Sequence, residues 1–163
     1  MPPSIVNCWP SPSNDGTCEV SIEYELENEN VTLYDVVISI PLPCVSGHTY
    51  TSYYFNTLDC HLYSDGSYPT VTSHSGEWSL DPASHSLAWS IPAVTAHDDS
   101  KSGSLIFNVG GVDVTAFFPV DVSFIGQGSL AGVAVASVSR VDGAQGPEYS
   151  VDALVTADEY RVV

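Results

Sequence analysis

Positive charge is what this sequence has least of. Lys and Arg number three (Lys101, Arg140 and Arg161) against 20 Asp and Glu, for a formal net charge of -17 over 163 residues. A surface of that sign repels phosphate backbones and anionic headgroups, which disfavours nucleic-acid binding and direct electrostatic docking to membranes. No apolar run approaches the ~18 residues that span a bilayer. The opening Met1-Pro2-Pro3-Ser4 has neither the basic start nor the apolar stretch of a secretory signal. Without such a signal, Cys8, Cys18, Cys44 and Cys60 are expected to be reduced thiols of a cytosolic protein. A zinc site drawn from Cys44, His48, Cys60 and His61 is the sharper alternative. It lacks any Cys-x-x-Cys or His-x-x-x-His spacing.

Helical periodicity is missing too. Nowhere over ten or more positions do apolar residues fall at intervals of three and four. What stands in its place is alternation. From residue 18 to 26, Cys18, Val20, Ile22, Tyr24 and Leu26 share one side of the chain, and Glu19, Ser21, Glu23 and Glu25 the other. A period of two marks a strand with one dry and one wet face. Similar strands are expected at 4–9, 33–40, 104–109, 117–125, 133–141, 149–156 and 159–163. Residues 77–80 and 86–91 flank Asp81-Pro82-Ala83-Ser84-His85 as a hairpin. Short strands separated by Gly, Pro, Asn and Ser turns predict an all-β fold, an antiparallel β-sandwich. Residues 44–63 do not fit: four of nine tyrosines lie there, Asp59 is the only formal charge, and there is no clear period.

Catalytic contexts are absent as well. There is no Gly-x-Ser-x-Gly elbow, and His74, His85 and His97 sit in polar, turn-like stretches expected to be exposed. Asp98-Asp99 reads as a charged turn. Gly110-Gly111 lacks the Lys and the following helix of a phosphate loop. The sequon Asn30-Val31-Thr32 is expected to be an accidental match, since no secretory route is expected. Trp9, Trp78 and Trp89 could stack on a sugar, but core filling is the reading preferred, since Trp89 alternates with Leu87 and Ile91. The expectation is a protein that is not an enzyme, with no catalytic, metal or cofactor-binding residues. Most of its carboxylates would keep a β-rich surface soluble.

A series of short motifs carries a resemblance. In order, they are Asn7-Cys8-Trp9-Pro10-Ser11, Ile22-Glu23-Tyr24-Glu25-Leu26, Asp35-Val36-Val37-Ile38, Ile40-Pro41-Leu42-Pro43, Ser102-Gly103-Ser104-Leu105, Phe117-Phe118-Pro119-Val120, Val122-Ser123-Phe124 and Val141-Asp142-Gly143. With a looser Asp158-Glu159-Tyr160 at the close, they resemble the C-terminal part of the coatomer delta (archain) family. The resemblance implies a mu-homology domain, an elongated β-structure related to adaptor medium subunits, here incomplete. By that analogy residues 1–126 are the inserted β-subdomain, and residues 127–163 return to the first subdomain. An N-terminal longin-like domain, a linker and the opening strands would be missing, leaving a fragment whose last strands lack their usual sheet partners.

The same resemblance implies a COPI coat component in Golgi-to-ER and intra-Golgi transport, cytoplasmic and peripheral on Golgi and vesicle membranes. It would touch the membrane only through the coat. Its implied partners are other coatomer subunits and tryptophan-containing peptides of tethering or coat-regulating proteins. Adaptor medium subunits grip tyrosine signals with a Trp and a base near the C-terminus. Residues 150–160 contain neither, so that grip is not carried over, and no peptide-binding residue is assigned. Excising residues 44–63 restores the family spacing at Ser64-Asp65-Gly66, which casts them as a translated, unspliced intron. The alternative to the whole reading is an unrelated acidic β-sandwich module of the carbohydrate-binding or adhesion type.

Overall fold

The computed structural model describes residues 3–43, 68–81, 83–111 and 113–163. The anomalous stretch 44–63, with Cys44, His48, Cys60 and His61, lies outside the described residues. So do Pro82 of the hairpin turn and the Ser64-Asp65-Gly66 resumption point.

Two antiparallel sheets are stacked. The first, of four strands, runs in the order β1 (Ser4–Pro12), β2 (Thr17–Leu26), β7 (Ser102–Gly110), β4 (Thr70–His74). The second, of five, runs β5 (Glu77–Asp81), β6 (Ser86–Val94), β3 (Val31–Pro41), β8 (Val120–Gly128), β9 (Leu154–Val162). The alternating residues meet between them. Cys18, Val20, Ile22, Leu105 and Phe107 from one sheet are sealed against Ile38, Ile40, Leu87, Trp89 and Val120 from the other. Burying such a dry layer is the main favourable term for a domain of this size. Aromatic contacts cross the middle: Tyr24 lies tilted against Trp89 with centroids 5.4 Å apart, and Phe107 meets Phe117 edge-on at 6.4 Å.

The chain changes sheets at short, specified links. Between β4 and β5 it passes through Ser75-Gly76, and the Trp89 indole N–H donates to the Ser75 carbonyl there. Between β6 and β7, Asp98 caps a 3-10 turn at Asp99–Lys101, its carboxylate accepting from the Ser100 amide at 2.8 Å. Asp113 caps a second turn at Val114–Phe117, accepting from the Thr115 amide at 3.0 Å and the Thr115 hydroxyl at 2.6 Å. The predicted hairpin is present, with Asp81 accepting from Ala83 N at 2.9 Å and His85 at a φ of 52°. Histidine tolerates that left-handed conformation better than most residues.

Several boundaries differ from the alternation. β1 runs on through Pro10 and Pro12, because it pairs with β2 alone and an edge strand needs no donor on its outer side. The 117–125 segment divides: Phe117 ends a 3-10 turn and the strand begins at Val120. β4 has a single large apolar residue, Val71, and carried no alternation signal. The two closing segments are one strand, β9, paired along β8 from Val120↔Val162 to Gln127↔Leu154 with a bulge.

The expected strand at 133–141 does not form. Residues 129–153 contain no strand, and Val133, Val135 and Val141 are exposed. Alternation supplies a face but no hydrogen-bond partner, and among the described residues no neighbouring strand lies along this stretch. An extended strand without a ladder leaves its amides to water.

Candidate functional site

The outer face of the four-stranded sheet concentrates chemistry. Since β2 turns its apolar residues inward, Glu19, Ser21, Glu23 and Glu25 stand on the outside. Register places side chains from both neighbours in rows across them. Ile5, Glu25 and Ser102 form one row; Asn7, Glu23 and Ser104 the next; Trp9, Ser21 and Ile106 a third; Ser11, Glu19 and Asn108 a fourth.

Two local features shape this surface. Ser102, Gly103 and Ser104 are small, so a concavity of about 420 Å³ opens beside Asn7, Glu23 and Glu25. It is shallow and polar, unlike the enclosed apolar cavities that hold small molecules. Beside it, Trp9 is 50% exposed and Ile5 39% exposed. Among the described residues no ion pair or hydrogen bond engages the side chains of Glu19, Glu23 or Glu25, and no base stands on this face.

The basic charge lies elsewhere. Arg161 pairs with Asp121 at 3.0 Å and Arg140 with Asp142 at 3.1 Å, both solvent-exposed. Lys101 closes the 3-10 turn before β7. Exposed pairs of this kind contribute little to stability.

The tryptophans divide. Trp89 is fully buried, as expected of a core filler, but Trp9 and Trp78 are not. Trp9 stands on the outer face of edge strand β1, whereas Trp78 shares the face of Trp89 by register but lies on edge strand β5, where it is 36% exposed. Hydropathy alone could not separate them, since position in the sheet decides exposure. His74 and His97 are exposed, whereas His85 is half-buried in the hairpin turn. His74 Nδ1 lies 3.1 Å from the Gly76 carbonyl.

The described thiols are quiet. Burial pushes the Cys8 thiol up to about 11, with Cys18 adding to the effect, and burial also raises Cys18. Among the described residues no group of three or more His, Cys, Asp or Glu is arranged to hold a metal ion. The zinc alternative rested on residues outside that set. What the outer face can do is attract cations and offer an aromatic plane. Trp9 is the one residue of this face that the sequence singles out, as a possible sugar platform or core filler; the signal for the rest is the polar side of β2, Glu19, Ser21, Glu23 and Glu25.

Comparisons with known proteins agree with the architecture. The profile of the adaptor complexes medium subunit family matches residues 1–163. Over 161 residues the chain is 33% identical to coatomer subunit delta-1 of Oryza sativa subsp. japonica, covering 99% of this chain and 26% of that protein. It is 32% identical over 165 residues to coatomer subunit delta of Arabidopsis thaliana, covering 100% and 27%. The chain thus spans about a quarter of the length of these relatives. The solved yeast delta-COP-I mu-homology domain superposes with a TM-score of 0.64 at 24% identity, over 99% of this chain and 57% of that one. That yeast domain has also been solved in complex with a Dsl1 WxWxV peptide.

Proposed function

This chain belongs to the adaptor complexes medium subunit family, and from that premise we propose that it acts as a non-enzymatic component of the COPI vesicle coat. One observation carries the reading: 33% identity to a coatomer delta subunit extends over 99% of the chain. The work would be protein-protein contact in Golgi-to-ER and intra-Golgi transport, on a rigid β-scaffold that presents a face or edge to short peptides. Its partners would be other coatomer subunits and tryptophan-containing peptides, the latter by analogy with the yeast domain's WxWxV complex. It would be cytoplasmic, peripheral on Golgi and vesicle membranes through the coat. Among the described residues no helix is long and apolar enough to cross a membrane.

The same reading divides the chain into an inserted β-subdomain at 1–126 and a return to a first subdomain at 127–163. The strand-free run at 129–153, with Val133 74% exposed, fits that division, while β9 beyond it stays paired with β8 in the five-stranded sheet.

The test has two parts. Tagged chain expressed in cells is recovered and blotted for the other coatomer subunits. Purified chain is titrated calorimetrically with a WxWxV peptide and with its Trp-to-Ala counterpart. Co-recovery of coatomer, with binding that needs the tryptophans, is expected. A folded chain that recovered no coatomer subunit and bound no peptide would sink the proposal.

A second reading, a carbohydrate-binding module, is favoured by the exposure of Trp9 and Trp78. Saturable quenching of tryptophan fluorescence by glycans but not by the peptide would establish it instead.

A further inference from the structure

Between β8 and β9 the chain forms an arm with no ladder to hold it. Residues 131–152 are exposed without interruption. From 134 to 152 one backbone hydrogen bond is made among the described residues, from the Gly143 amide to the Arg140 carbonyl at 3.2 Å. It closes a turn at Asp142-Gly143. The Asp142 carboxylate accepts from the Ala144 amide at 3.1 Å and pairs with Arg140 at 3.1 Å, more than half of both charged side chains lying in water. Gly143 has a φ of 74° and open space where a Cβ would sit. Exposed contacts of this kind hold a turn weakly, and it opens locally at little cost.

The other Asp-Gly pair among the described residues, Asp15-Gly16, is held from several sides. It sits in the β1–β2 hairpin, whose ladder begins beside it at Pro12↔Cys18. The Ser13 amide reaches the Thr17 carbonyl at 2.8 Å, and the Gly111 amide reaches the Gly16 carbonyl at 2.9 Å. The Asp15 carboxylate accepts from the Thr17 hydroxyl at 2.7 Å and the Thr17 amide at 3.0 Å, which lowers its pKa and keeps it ionised.

We propose that Asp142 is a modification site, where the arm forms isoaspartate and becomes a substrate for protein-isoaspartate carboxyl methylation. The Gly143 nitrogen, its proton lost to solvent base, attacks Cγ of Asp142. An N–Cγ bond forms, the bond from Cγ to the protonated oxygen breaks, and one water leaves. Water then opens the succinimide ring at either carbonyl. Opening at Cγ restores aspartate. Opening at the former main-chain carbonyl leaves the chain running through the side chain, with a free α-carboxylate. Nothing is oxidised or reduced, and the net composition is unchanged. Glycine favours closure because no Cβ crowds the attacking nitrogen. Closure also needs rotation about Asp142, which the arm permits and the hairpin at Asp15 opposes. It needs a neutral carboxyl as well, which the Thr17 donors make rarer at Asp15. The new α-carboxylate, on an exposed segment, is open to a methyltransferase that esterifies it from S-adenosylmethionine. The inference goes beyond the coat assignment and stands on this arm alone.

The full chain is aged for weeks at neutral pH, and isoaspartate is assigned residue by residue by fragmentation mass spectrometry. In the folded chain it is expected to accumulate at residue 142 at least about tenfold faster than at residue 15. In urea, where neither turn is held, the two rates should converge. Gly143→Ala should slow the reaction at 142 about tenfold by crowding the nitrogen. A third pair, Asp65-Gly66, lies outside the described residues, so methyl transfer from labelled S-adenosylmethionine is counted in Asp65→Glu. Asp142→Glu, added to that chain, should remove most of the label, because the longer side chain closes a larger ring less readily. Circular dichroism before and after ageing confirms that each chain is folded.

No isoaspartate at 142, or equal rates at 142 and 15 in the folded chain, overturns the proposal. So does a residue 15 that stays slow in urea, which would place the difference in local sequence rather than in the fold. Undiminished label after Asp142→Glu overturns it too. None of these outcomes bears on coatomer recovery or peptide binding, so the coat reading fails or stands separately.

Discussion

Replacing Gly103 with alanine would set a Cβ 2.6 Å from Cε1 and 2.9 Å from Cζ of Tyr24, and against the Ser75 hydroxyl. Elsewhere in a strand the change should help, because glycine is roughly 0.5–1 kcal/mol worse than alanine there. The backbone of Gly103 is outside the left-handed region, so no strain arises from conformation. The contact decides the sign. The Tyr24 ring cannot withdraw freely, since its hydroxyl donates to the Ser100 carbonyl at 3.2 Å and its ring lies tilted against Trp89. Trp89 is in turn tied to the Ser75 carbonyl across the link between the sheets. Overpacking at such a point costs about 1–3 kcal/mol. Set against the gain, the net loss is about 1–2 kcal/mol, or a fall in Tm of roughly 2–8 °C for a domain of this length. The assay is thermal unfolding followed by circular dichroism and by tryptophan fluorescence. Shortening the partner, as Tyr24→Leu, should make the added methyl far less costly, a coupling read from the double-mutant cycle. A Gly103→Ala chain as stable as wild type would refute the argument that the ring is pinned.

Other outcomes follow from the same structure. Trp89→Phe removes the indole donor and leaves the Ser75 carbonyl without it, for a loss of about 2–4 kcal/mol in denaturant unfolding. In a chain carrying Cys44→Ser and Cys60→Ser, Cys8 and Cys18 should resist a thiol reagent at pH 7.5 until denaturant is added, because burial keeps both protonated. The hydroxyls of Thr17, Ser84, Ser100 and Thr115, followed by the Thr95 side chain at Asp98 and by nearby amides, hold the carboxyls of Asp15, Asp81, Asp98 and Asp113 below their usual value. A depressed folded-state pKa contributes stability that is present above the unfolded value of 3.8 and lost as pH falls through the lowered one. The melting difference between wild type and Asp98→Ala should therefore hold from pH 7 to about 5 and shrink as acid is added below 3.8. A difference that persisted at pH 2 would show that the cap acts without its charge.

Alternation in the sequence determined the sheets and the dry layer between them, because a side chain's direction in a strand depends only on its position along the chain. It placed Val20, Ile22, Ile38, Leu87 and Trp89 inside and Glu19, Glu23 and Glu25 outside with no knowledge of their neighbours. Pairing is a different matter. Which strand lies at an edge, and so why Trp9 is uncovered and Pro10 tolerated, depends on partners distant in the chain. Alternation at 133–141 named a face, yet no described strand lies beside it to complete a ladder, and it stayed irregular. The grouping of Trp9 with Glu19, Glu23 and Ile106 likewise exists only through register, which brings together residues nearly a hundred positions apart. Tertiary structure decided that, because hydrogen-bond pairing sets which side chains become neighbours across strands.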